Sequence, residues 1–238
     1  MNPAPPVTQT VRDLMTKPPS RGCWRRLTPL ERAFYQRDTR LVARDLLGKL
    51  LVRTGEGAPA VARIVEVEAY LGVDDPACHT FGGRRTPRVE VMWGEAGFLY
   101  VYFTYGMHHC ANVVTRGVGA PEAVLLRGAV AMLGTAAMLA RRHGRGGPGM
   151  LIGPARLCEG LAIDRSLNGA DLVAGAAIWV ADDGLRCPPH AVRAFPRVGV
   201  AYAGEAASWP LRFAVDLAAP AGPGHARGSR PGRVAARR

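Results

Sequence analysis

Arg63-Ile64-Val65-Glu66-Val67-Glu68-Ala69-Tyr70-Leu71 is the stretch on which the reading of this 238-residue chain turns. It alternates with period two, so Val65, Val67, Ala69 and Leu71 face one way and Glu66, Glu68 and Tyr70 the other. One face suits a core, while the other brings two acids and an aromatic ring together. A carboxylate is a general base, and a tyrosine two residues away is a flat stacking surface. Hydrolytic removal of a planar ring needs both. The same spacing sets the two carboxylates roughly 6.6 Å apart at about 3.3 Å per residue, which would also serve an acid/base pair in sugar hydrolysis. A strand whose outer face is merely solvated shows the same alternation.

Working outward, Leu50 to Arg53 pairs with Val61 to Leu71 across the turn Gly55-Glu56-Gly57-Ala58-Pro59. Before it, Asp38 or Thr39 caps a helix running to Gly48, with Val42 and Leu46 four apart and Leu41 and Leu47 widening the apolar face. After it, Gly72 to Pro87 is too rich in breakers for regular structure, and loops of that length tend to be functional or disordered. Leu99 to Thr104 and Cys110 to Thr115 read as a strand pair, with Tyr105-Gly106-Met107-His108-His109 at the turn, so that Tyr105 projects from a hairpin tip. Ala123 to Leu126 reads as a short strand entering Arg127, Ala129 to Arg142 as a helix, Pro154 to Leu161 as a helix, and Ala176 to Ala181 and Arg197 to Tyr202 as strands. No repeat and no strand-helix-strand rhythm is present. The expected fold is α+β, a single domain with a mostly antiparallel, curved sheet, packed helices and a protruding β-hairpin.

A hydrophobic content of 48% supplies the core of one ordinary domain, expected over residues 29–218. No apolar run approaches the roughly 20 residues of a membrane span, and Met1-Asn2-Pro3-Ala4-Pro5-Pro6 lacks the pattern of a signal peptide, so a soluble intracellular protein is expected. Cys23, Cys78, Cys110, Cys158 and Cys187 are odd in number, widely spaced and without a CxxC pair, which reads as reduced thiols. Of the net charge of +12, residues 1–28 carry five basic side chains against one acid and residues 219–238 five arginines against none. Both ends read as disordered basic arms that attract phosphates without regard to sequence, or as solubilising tails.

Cys78-His79 and His108-His109-Cys110 place potential ligands side by side, where extended chain points them apart, so neither a metal nor another cofactor is expected. His79 follows the acidic strand closely enough to line a pocket. Tyr100, Tyr102 and Tyr105 are costly to bury without hydroxyl partners, which hints at ring faces lining a cleft. Gly82-Gly83-Arg84-Arg85 offers N–H and guanidinium groups to phosphate oxygens, and a solvated turn explains it equally well.

Taken together, these residues resemble the alkyladenine (3-methyladenine) DNA glycosylase family of base-excision repair. The matching segments run in one order: Leu46-Leu47-Gly48, Ile64 to Gly72, Gly82-Gly83-Arg84 with Thr86-Pro87-Arg88, Leu99-Tyr100-Val101-Tyr102, Tyr105-Gly106-Met107, Cys110 with Asn112, Val124-Leu125-Leu126-Arg127, Gly153 to Cys158, and Arg197-Val198-Gly199-Val200 through Leu211-Arg212-Phe213. The resemblance implies Glu68 as the general base that activates water, with Arg127 and the Val198 carbonyl holding that water. It implies Tyr70, His79, Tyr102 and Asn112 around the extruded base, Tyr105 as the wedge in the duplex, and phosphate contacts from Arg84, Arg85 and Arg88. The partner would be double-stranded DNA containing damaged purines, bound by a monomer without a cofactor. The enzyme would be cytoplasmic and nucleoid-associated in a bacterium, or nuclear in a eukaryote. Lesions such as 3-methyladenine, 7-methylguanine, hypoxanthine and ethenoadenine would be excised, and with no lysine beyond Lys49 a Schiff-base step is not expected. A non-catalytic binder of damaged DNA and a carbohydrate glycosidase using Glu66 and Glu68 are the rival readings. The chain departs from the family pattern at Val89-Glu90-Val91 and at His108-His109.

Overall fold

In the computed structural model, which describes residues 9–17, 27–55, 59–219 and 221, the long acidic strand is the centre of an eight-stranded antiparallel sheet. The strands are β1 (Leu50–Arg53), β2 (Ala60–Tyr70), β3 (Leu99–Thr104), β4 (His108–Thr115), β5 (Glu122–Leu133), β6 (Ile178–Ala181), β7 (Val192–Phe195) and β8 (Arg212–Val215). The main path runs β3-β4-β5-β2-β1-β6. β2 is long enough to pair with β5 along one edge and to share its other edge, with β1 opposite Ala60 to Arg63 and β8 opposite Glu66 to Glu68. β7 then extends the sheet from β8. The α+β architecture is therefore present, and both edges of the catalytic-looking strand are hydrogen-bonded.

Among the described residues five α-helices accompany the sheet: α1 (Val11–Met15), α2 (Arg32–Tyr35), α3 (Thr39–Leu46), α4 (Thr135–Arg141) and α5 (Pro154–Gly160). α3 starts where expected, its Asp38 side chain accepting from Arg40 N–H. It buries Val42, Ala43 and Leu46, whereas Leu41, expected on the apolar face, is 55% exposed. At 100° per residue Leu41 lies on the flank, and alanine suffices at the close approach to the sheet. The core gathers Val42 and Leu46 with Ile64, Val65, Val67, Leu126, Leu157 and Leu161.

Several expectations are corrected. Ala129 to Leu133 is not helical: β5 continues through it, paired with Val61 to Ile64 of β2, and α4 begins only after Gly134. Arg197 to Val200 is an irregular loop leading into a 3-10 segment over Ala201–Ser208, because its side chains bond to β2 and to a neighbouring loop and not to a ladder. Residues 9–17, placed in a disordered arm, hold α1, which buries Val11 and Met15 in the core and gives the main-chain oxygens of Met15 and Lys17 to the buried Arg63 guanidinium. The rest of the arms, residues 1–8, 18–26, 220 and 222–238, lies outside the described residues. Among the described residues no helix is long and apolar enough to cross a membrane.

Candidate active site

The two acids of β2 meet different fates. Glu68 is fully buried, so its strand face is not a solvated one. Its Oε1 accepts from the Val198 N–H at 2.8 Å, and its Oε2 from the Tyr70 hydroxyl at 3.0 Å. Arg127 Nη1 lies 3.3 Å from Oε1. Burial pushes the carboxyl above the ordinary glutamate range, and Arg127, the Val198 N–H and Tyr70 act against that rise. Glu66 is held instead by two guanidinium groups, Arg127 Nε and Arg212 Nη1, each 3.1 Å from its Oε1. Glu66 is thus engaged with Arg127 and Arg212 and does not line the cavity described below, so the two acids are not presented to it as a pair.

Arg127 reaches both acids because the β2–β5 ladder is irregular at this point. Ile64 faces Ala129, Glu66 faces Gly128 and Val67 faces Leu126, so Val65 and Arg127 fall between rungs. Such a bulge re-aims a side chain, and here it carries Arg127 from the middle of a strand, not its end, onto Glu66 and Glu68.

A cavity of about 400 Å³ opens beside this cluster, lined among others by Tyr70, His79, Tyr102, Asn112, Arg127 and Val198. β2 and β4 supply Tyr70 and Asn112, and β3 supplies Tyr102. His79 lies in the breaker-rich loop and Val198 in the irregular one. The His79 and Tyr102 rings meet edge to face with centroids 4.7 Å apart, and His79 Nδ1 is 2.9 Å from the Tyr100 hydroxyl. Burial, with Arg88 and Arg84 nearby, lowers the His79 pKa to about 4, so the pocket presents a neutral imidazole at neutral pH. Asn112 is buried and donates from Nδ2 to the Tyr100 carbonyl at 3.1 Å, which fixes its amide. The cavity is therefore flat-walled, with Arg88 and Arg127 as the charged groups of its lining, and the Glu68 carboxylate sits behind that lining, bonded to Tyr70, Arg127 and Val198.

Tyr105 also borders this cavity, at the tip of the β3–β4 hairpin, and is 82% exposed. The tip is tighter than expected, because His108 and His109 already pair with Thr104 and Phe103. Tyr105 and Gly106 both have positive φ, 51° and 66°, and Met107 N–H returns to the Thr104 carbonyl at 3.2 Å. That is the pattern of a type I′ turn, which glycine accommodates freely and tyrosine does not. Of the three arginines expected at phosphates, Arg84 is exposed, Arg85 is paired with Glu90, and Arg88 lies over the Tyr102 ring at 5.2 Å as part of the cavity wall.

Three residues were not singled out by the sequence. Arg197 and Asp75 form a fully buried ion pair; Arg197 also lies over the Tyr70 ring at 4.8 Å and donates to the Ala69 carbonyl at 3.1 Å. Asp75 accepts from Leu71 N–H and Ala77 N–H, each at 3.0 Å. Tyr202 donates to the Ala77 carbonyl at 3.1 Å from across the cavity mouth. This lattice ties the loop bearing His79, the end of β2 and the loop bearing Val198 into one unit.

The sequence profile of a family described as methylpurine-DNA glycosylase matches residues 33–218. A protein of Desulfitobacterium hafniense, provisionally named 3-methyladenine DNA glycosylase, is 47% identical over 195 residues, covering 79% of this chain and 95% of its own. Proteins bearing the same provisional name are 49% identical over 187 residues in Anaeromyxobacter dehalogenans (78% of this chain, 81% of theirs) and 45% identical over 189 residues in Methanocella arvoryzae (77% and 90%).

Proposed function

Because this chain belongs to the methylpurine-DNA glycosylase family, we propose that it hydrolyses the N-glycosidic bond of damaged purines in double-stranded DNA. Its substrates are alkylated purines such as 3-methyladenine and 7-methylguanine, together with hypoxanthine and ethenoadenine. One observation carries the reading: a buried Glu68 carboxylate whose three donors, Tyr70, Arg127 and the Val198 N–H, belong to residues that line a ring-walled cavity of about 400 Å³.

In this reading Tyr105 enters the duplex and fills the gap left by a nucleotide rotated into the cavity. Tyr70, His79 and Tyr102 hold the base by its faces, and Asn112 disfavours the exocyclic amine of guanine. Glu68 takes a proton from water as the water oxygen attacks the deoxyribose C1′. Arg127 and Val198 hold the attacking water beside it. The glycosidic electron pair leaves with the base, and a cationic alkylpurine departs neutral without an acid. Neutral lesions draw their proton from elsewhere. Lys49 is bound to Asp182 at 2.7 Å in another part of the fold, which supports hydrolysis without a Schiff base. The protein acts as a monomer inside the cell.

The test is release of free base from methylated, inosine-containing and ethenoadenine duplexes. Glu68→Gln should slow release by about 10²–10⁴-fold, the usual contribution of a general base, while lesion binding persists. Full activity in that variant would remove the mechanism, and lesion binding without release by the unsubstituted protein would leave a non-catalytic binder.

A further inference from the structure

A second hollow, of about 760 Å³, adjoins the Glu68 cavity across the β3–β4 hairpin and the start of α5. Tyr105 borders the first, and the next residues of the same hairpin, Met107, His108 and His109, border the second. Arg142, Arg145 and Arg156 share that lining, from the C-terminal cap of α4, the loop after it and α5. The acids in the hollow are already engaged: Glu159 pairs with Arg142 and with His143, and Asp164 accepts from the Ser166 N–H at 2.8 Å. Arg145 and Arg156 are exposed and form no ion pair among the described residues. Arg142 is buried with its Nε lacking a hydrogen-bond partner, and its pKa is lowered first by burial and then by repulsion from Arg156 and Arg145. Crowded like charges with spare donors cost free energy in the unliganded protein, and an oligoanion would relieve it.

We propose that this hollow binds the phosphates of a DNA strand flanking the lesion, with Arg145 and Arg156 as the contacting side chains. This rests on the DNA reading above. The hairpin serves as the partition, Tyr105 on the side of the extruded base and His108 on the side of the departing backbone. The loop between α4 and α5, which the sequence marked only as a break, becomes part of the DNA footprint. Arg85, by contrast, already has Glu90 as its counterion.

The experiment compares Arg145→Ala/Arg156→Ala with the unsubstituted protein for affinity to a lesion duplex at several salt concentrations, and for single-turnover excision at saturating enzyme. The variant should bind at least ~10-fold more weakly at low salt, and the slope of log affinity against log salt should flatten by about 0.9 for each phosphate that is no longer neutralised. Excision at saturation should stay the same. Shortening the duplex on one side of the lesion should abolish the difference between the two proteins, and shortening the other side should not. Affinity within twofold, a weaker affinity with an unchanged slope, or a difference that survives both truncations overturns the proposal. Failure of the unsubstituted protein to bind any lesion duplex would instead sink the DNA reading itself, and this occupant with it.

Discussion

Glu68 is the residue on which sequence and structure converge most closely. The alternation of β2 placed it beside Tyr70, and the two do share a hydrogen bond of 3.0 Å. A raised pKa in the folded protein means that the acid limb of excision should lie above the ordinary glutamate value of 4.5, since only the carboxylate takes a proton from water. The same shift has a stability sign. The fold favours the protonated acid, so stability from this group is present below 4.5 and is lost as pH rises through the raised value. The melting temperature of Glu68→Gln relative to the unsubstituted protein should therefore increase from pH 4 to pH 7; a constant difference, or an acid limb at or below 4.5, contradicts the assignment. What could not be read at this scale is Asp75 with Arg197. They are 122 residues apart, neither lies on a periodic face, and a buried ion pair looks in sequence like two surface charges. Its removal from one side would leave an uncompensated charge under Tyr70, which is why the site tolerates it only as a pair.

Among elements, β2, β3, β4 and the hairpin between them were legible because each alternates or is bounded by glycine. β5 was not. Its second half, Ala129-Val130-Ala131-Met132-Leu133, has the composition of a helix, and pairing with Val61 to Ile64 of β2 makes it a strand. The switch to α4 occurs at Gly134, at φ 76°, where an added Cβ would lie 2.7 Å from the Pro59 carbonyl oxygen. Gly134→Ala should therefore destabilise the protein by more than the roughly 1–2 kcal/mol of left-handed backbone alone, measured by denaturant unfolding. A loss under ~0.5 kcal/mol would mean that β5 can end elsewhere. β7 and β8 were missed because Val192-Arg193-Ala194-Phe195 and Arg212-Phe213-Ala214-Val215 lack the continuous apolar run that marks the equally short β1 and β6.

For the whole molecule, charge described the start of the chain poorly. The first basic stretch contains α1, which buries three side chains, and the main-chain oxygens of Met15 and Lys17 accept from Arg63, which itself pairs with Asp183 at 2.8 Å. A capping Thr10 and an apolar Val11-Arg12-Asp13-Leu14-Met15 segment were there to be read, but five residues against a net positive background do not make a periodic signal. Deleting residues 1–17 should lower the melting temperature by at least ~4 °C, the shift that about 1–2 kcal/mol causes in a chain of this size, without altering single-turnover excision where both forms are folded. An unchanged melting temperature would show that α1 contributes nothing to the core. The hairpin tip carries a different consequence. Tyr105 and Gly106 hold left-handed backbone in the chain on its own, so if Tyr105 is the wedge proposed above, it would need no backbone assembly at each step of a search along a duplex. The ordering cost of that turn would then fall on folding and not on each encounter with a base pair.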